Sequence, residues 1–199
     1  MKPKTILITG ASQGLGQFLA IHFAKKGNRL LLLARNEAGL QETLRQVEEA
    51  GGSGFYHVAD LSDTQSLIAT AEALESQVKK IDILIHNAAD VTSKPFLDTE
   101  LTEIEQLIQT NVTGPLQLTR LLLPMMALSQ EPTIVHLSSL AGYKANPSQT
   151  VYSITKTAVN GMSDALRAEL EPQGIHVMNV GLSSVSTETK LKPGQVAAE

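Results

Sequence analysis

A doubly wound α/β fold, with one parallel sheet of six strands covered by helices on both faces, is the architecture this 199-residue chain predicts. Three observations carry that expectation. Short β-branched and apolar runs alternate with helix-length patterns along the chain. The first such run passes directly into a glycine-rich turn and then into a helical pattern. No linker, internal repeat or low-complexity segment interrupts the alternation. Strands separated by helices are joined by right-handed crossovers and lie parallel. The length suits one well-buried α/β domain and is short for two. A single domain over 1–199 is therefore expected, with 188–199 a short tail.

Residues 4–8 (Lys-Thr-Ile-Leu-Ile) read as a short strand of the fully buried kind a parallel sheet holds. They lead into Thr9-Gly10-Ala11-Ser12-Gln13-Gly14-Leu15-Gly16. Glycines at 10, 14 and 16 permit a tight turn and let backbone approach a ligand without Cβ atoms in the way. The helical pattern after them carries Phe18, Leu19, Ile21 and Phe23 and stops at Gly27. Its start offers unpaired N–H groups and the positive end of a dipole to a pyrophosphate. The strand at 29–34 ends in Arg35-Asn36. In a dinucleotide fold that tip faces the adenosine ribose, where an acidic residue accepts the 2′-hydroxyl of NAD and a basic one pairs with the 2′-phosphate of NADP. Arg35 thus points to NADP(H) in preference to NAD(H), with Ser12 and Gln13 as further candidates to bond that phosphate.

The remaining elements follow in turn: a helix at 37–50, a strand at 55–59, a helix at 64–79 and a strand at 82–86. A long helix spans 101–128, where Pro115 and Pro124 are expected to kink or shorten it. A strand at 133–137, a helix carrying Tyr152 and Lys156 to Leu170, and a strand at 175–180 complete the series.

Tyr152-Ser153-Ile154-Thr155-Lys156 holds the chemistry. On a helix, positions i and i+4 project from one face. A phenol ordinarily titrates at about pH 10, and a neighbouring ammonium favours its ionised form, which suits proton transfer. Ser139, thirteen residues upstream, supplies a hydroxyl that could hold a substrate oxygen. Together they form an acid/base set for carbonyl–alcohol chemistry, given a hydride carrier nearby.

With these motifs in order, residues 4–187 resemble the short-chain dehydrogenase/reductases, which share the Rossmann fold. The matching residues are Thr9-Gly10-x-x-x-Gly14-x-Gly16, Asp60-Leu61, Asn87-Ala88-Ala89, Asn111, Ser139 and Tyr152-x-x-x-Lys156. The resemblance implies that Tyr152 exchanges the proton with the substrate oxygen. It implies that Lys156 assists Tyr152 and bonds the nicotinamide ribose, that Ser139 orients the substrate oxygen, and that Asn111 holds a water in a proton relay. Asp60 and Leu61 would meet the adenine, Asn87, Ala88 and Ala89 would line the cofactor, and Val185 and Thr187 would reach the carboxamide. A homodimer through the helices at 101–128 and 152–170 is the family's common assembly. Ser138 is an alternative to Ser139, disfavoured by the Leu140-Ala141-Gly142 that follows.

Two departures stand out. Ala89 replaces the family's usual glycine, and Leu182-Ser183 stand where Pro-Gly is usual. The chain also lacks the residues that would supply the family's later helices and seventh strand, so an open substrate cleft and an exposed edge at the sixth strand are expected. These departures motivate a second reading, a catalytically weak nucleotide-binding regulatory or scaffold protein of the same fold. The intact Ser139, Tyr152 and Lys156 favour the enzyme.

Composition excludes several other classes. The net charge is −4 with no basic run, so nucleic acid is not an expected partner. Cysteine is absent, which removes disulfides and thiolate metal sites. His22, His57, His86, His136 and His176 lack metal-ligand spacing, and His86 reads as a packed or surface imidazole rather than a catalyst. The start Met-Lys-Pro-Lys leaves no room for a signal peptide and no run reaches transmembrane length, so a cytoplasmic location is expected. Substrate contacts would come from 91–96, 140–147 and 183–192, whose mixed polarity names no substrate.

Overall fold

Six strands, β1 (Thr5–Thr9), β2 (Arg29–Ala34), β3 (Ser53–Val58), β4 (Ile83–His86), β5 (Thr133–Ser139) and β6 (His176–Leu182), make up one sheet in the computed structural model, which describes residues 2–183. Every pairing is parallel and the order is β3-β2-β1-β4-β5-β6. The order reverses between β1 and β4. At such a switch point neighbouring crossovers leave in opposite directions and open a crevice at the carboxyl ends of the strands.

Side chains on a strand alternate between faces, and two cores result. Ile6, Ile8, Leu30 and Leu32 point to one face, against Ala20 and Ala24 of α1 (Gly14–Ala24) and Leu40 and Val47 of α2 (Glu37–Glu49). Leu7, Leu31 and Leu33 point to the other, against Leu67 and Leu74 of α3 (Thr64–Gln77) and Leu118 and Leu122 of α5 (Gly114–Met126). The run Leu30–Leu33 is apolar throughout because β2 is covered on both sides. Asn36 accepts from Gly39 N–H and Asp63 from Gln65 N–H, so side-chain caps begin α2 and α3.

The long helix expected at 101–128 is divided. α4 (Leu101–Ile108) gives way to a π-helical turn (Gln109–Thr113), and α5 resumes at Gly114. Pro115 has no N–H to return to the carbonyl four residues earlier, that of Asn111, so the α-helical ladder cannot close there. Gly114 is required at the restart, because a Cβ on it would stand 2.1 Å from the Leu61 carbonyl oxygen. Pro124 lies inside α5 without ending it. β5 and β6 each run two residues past the expected 137 and 180, which carries Ser139 and Leu182 onto the sheet in register. α6 (Thr150–Leu170) packs over β5 and β6. Among the described residues no helix is long and apolar enough to cross a membrane.

Candidate cofactor groove and catalytic cleft

The glycine turn shapes the first half of the site. Gly10 and Gly14 sit at φ 66° and 58°, a left-handed conformation that glycine adopts without penalty. A Cβ on Gly16 would lie 2.3 Å from the Gly10 carbonyl oxygen and 2.6 Å from Asn87 Nδ2, so α1 can approach the turn only as glycine. Asn87 staples this arrangement. Its Nδ2 donates to the carbonyls of Thr9 (2.9 Å) and Gly10 (3.2 Å), while Thr9 Oγ1 accepts from the N–H groups of Asn87 and Ala88, both at 3.1 Å. Gln13 begins α1 with no side-chain cap, which leaves first-turn N–H groups for an anion.

A cavity of about 560 Å³ runs along this turn, lined by Ser12, Gln13, Arg35, Asp60, Leu61 and Ala88 among others. Asp60 Oδ1 is occupied by the N–H (2.9 Å) and hydroxyl (2.8 Å) of Ser62. Ala89 does not adopt positive φ, so a methyl in place of the usual glycine introduces no left-handed strain. These features fit a dinucleotide: a backbone cradle that Cβ atoms would fill, an uncapped helix start, and a guanidinium at the ribose end.

A second cavity, about 690 Å³, shares Asn87, Ala89 and Val91 with the first and brings together Leu15, Ser139, Tyr152, Lys156, Leu182 and Ser183. Lys156 is 5% exposed, with Nζ 2.9 Å from the Leu137 carbonyl and 5.7 Å from the centroid of the Tyr152 ring. Burial disfavours its charged form and pulls it from 10.5 to about 8. Ser139 Oγ accepts from Ala141 N–H at 3.1 Å, and its hydroxyl hydrogen is left for another acceptor. Ser138 is committed elsewhere, donating to Asn160 Oδ1 at 2.6 Å. Asn111, on the π turn, accepts from Asp90 N–H (2.8 Å) and donates to Asp90 O (2.9 Å) and Thr155 Oγ1 (3.1 Å). It thus ties the loop after β4 to the helix that carries Tyr152 and Lys156. Val185 and Thr187 lie outside the described residues.

Three features escaped the sequence reading. Asn160 accepts from Ser138 and from Asn179 Nδ2 (2.9 Å) and donates to Gly142 O (3.1 Å), which joins β5, β6 and the turn after Ser139. Its place eight residues after Tyr152, on the same helix face, was the available signal. His86 and His136 stack at 5.0 Å between ring centroids, with ring planes nearly parallel at 7°. Thr119 already donates to the Pro115 carbonyl and Ser163 to that of Val159, so the rings donate: His86 from Nε2 to Thr119 (2.8 Å) and His136 from Nδ1 to Ser163 (3.0 Å). Burial first, then neighbouring positive charge, pushes His136 down to about 4, and burial keeps His86 well below the usual range. His86 is therefore packed, as expected. The third feature is the pairing of Arg35 with Asp90.

The family model for short chain dehydrogenase matches residues 4–195. A ketoacyl reductase, HetN, from Nostoc sp. is 36% identical over 174 residues, 87% of this chain and 61% of its own length. The chain thus spans about three fifths of that relative. A metagenomic short-chain oxidoreductase in complex with NADP superposes with a TM-score of 0.86 at 29% identity, over 92% of this chain and 83% of the other. An NADH-dependent reductase, A1-R′, complexed with NAD has the same fold, with a TM-score of 0.86 at 23% identity over 93% and 80%.

Proposed function

The chain belongs to the short-chain dehydrogenase family, and from that premise we propose that it is an NADP(H)-dependent oxidoreductase that interconverts a carbonyl and an alcohol. The observation that supports this most is the meeting of Ser139, Tyr152 and Lys156 in one cleft that opens into the glycine-turn groove at Asn87 and Ala89. NADPH, when bound, supplies the hydride. Arg35 pairs with the 2′-phosphate, and the N–H groups opening α1 take the pyrophosphate. Tyr152 gives its hydroxyl proton to the substrate oxygen in reduction and takes it back in oxidation. Ser139 donates to the same oxygen and fixes the carbonyl for attack. Lys156, protonated below about pH 8 in the free protein, places positive charge beside the phenol. Asn111 keeps the helix carrying both residues in place against the loop after β4.

NADPH oxidation across a panel of ketones and aldehydes tests the reading. Tyr152→Phe should abolish turnover, a loss of at least about a hundredfold, with NADPH affinity nearly intact. Unchanged turnover in that variant would overturn the mechanism. Tight NADPH binding with no turnover of any carbonyl would favour the scaffold reading instead.

A further inference from the structure

We infer that Asp90 selects between cofactors: its carboxylate holds the Arg35 guanidinium across the groove, and a 2′-phosphate must take that guanidinium away from it. The inference rests on the NADP(H) reading above. Arg35 stands at the tip of β2 and Asp90 follows β4, so the two residues come from opposite lips of the same cavity. Arg35 Nη2 lies 3.2 Å from Asp90 Oδ1. With side chains 56% and 34% exposed, the pair is open to solvent, and an arriving anion can compete for the guanidinium.

The charges decide what each cofactor meets. A 2′-phosphate is drawn to Arg35 and repelled by the carboxylate beside it. A 2′-hydroxyl carries no charge and requires no exchange of partners. Arg35 alone would favour NADP(H) strongly, and Asp90 reduces that advantage. The main chain of Asp90 is held separately, by Asn111 on both its N–H and its carbonyl. The side chain can therefore release Arg35 without disturbing the contact that reaches toward Tyr152. Asp90→Asn keeps the size of the side chain and both main-chain bonds, and removes only the charge.

Fluorescence titration of NADPH and NADH against the whole protein, Asp90→Asn and Arg35→Ala tests this. Asp90→Asn should tighten NADPH by about fivefold, the upper end of what an exposed ion pair is worth, and leave NADH within about twofold. The gain should shrink as salt is raised, because the groups involved are solvent-exposed. No change, a loosening, or an equal shift for both cofactors overturns the role of Asp90. Arg35→Ala reports on the underlying reading: a selective loss of NADPH keeps it, whereas equal weakening of both cofactors removes it and the Asp90 inference with it.

Discussion

The half of the molecule around the glycine turn and the half around Tyr152 are built from different materials. Around β1 and β2 the sheet is apolar on both faces, and the turn that borders the groove is shaped by backbone, held open by Gly10, Gly14 and Gly16. Around β5 and α6 the interior is polar, with His136, Ser138, Ser153, Thr155, Lys156 and Ser163 all buried. There the cleft is built from side chains, held by Asn111, Asn160 and the Leu137 carbonyl. A pyrophosphate presents the same oxygens whatever the substrate, so a backbone cradle suits it. Proton transfer needs particular atoms at particular distances, and only side chains bring titratable groups to them.

The sharpest way to break this comparison is to add one methyl group to the backbone cradle. Gly16→Ala places a Cβ against the Gly10 carbonyl and Asn87 Nδ2. It should weaken NADPH binding by about a hundredfold, near 3 kcal/mol, as calorimetric titration would register. Affinity within a few-fold of the parent would mean that the turn can relax, and the rigid-cradle account would fail.

A smaller effect probes the polar half. The unfolded chain protonates an ordinary histidine near pH 6.5, whereas His136 in the fold stays neutral to about 4. Between those values the unfolded state binds more protons, so stability is lost as pH falls. The loss is up to about 1.4 kcal/mol per pH unit for one such group. His136→Asn should flatten the dependence of the urea midpoint between pH 6.5 and 4.5, with His86 supplying what remains. An unaltered slope would assign the acid sensitivity elsewhere.

The smallest effect reverses the first. A Cβ on Gly161, in α6, meets no atom within 4 Å, so Gly161→Ala should stabilise the protein by about 0.5–1 kcal/mol through helix propensity. A lowered melting temperature would show that α6 depends on a glycine there. Glycine to alanine thus harms ligand binding at the turn and favours folding in α6.

Legibility in the sequence divides along the same line. The β1–turn–α1 unit could be read because its parts are contiguous and each constrains its neighbour: apolar run, positive-φ glycines, uncapped helix start. Tyr152 and Lys156 were legible because a helix repeats every 3.6 residues. The division of the 101–128 helix was half visible, since Pro115 and Pro124 look alike on paper. Only Pro115 stands just after the π turn, beside Gly114, which must pass the Leu61 carbonyl at the start of α5. The His86–His136 stack and the Arg35–Asp90 pair join residues 50 and 55 positions apart, and no local pattern announces them.

By itself the sequence determined the order of the elements, the glycine turn ahead of α1 and the placing of Tyr152 and Lys156 on one helix face, because those depend on short-range geometry. The tertiary structure decided that the Ser138 hydroxyl is committed to Asn160 while that of Ser139 is not, where the long helix breaks and which carboxylate meets Arg35. Those outcomes depend on how close separate strands and helices come, and that distance exists only once the sheet has assembled around its two cores.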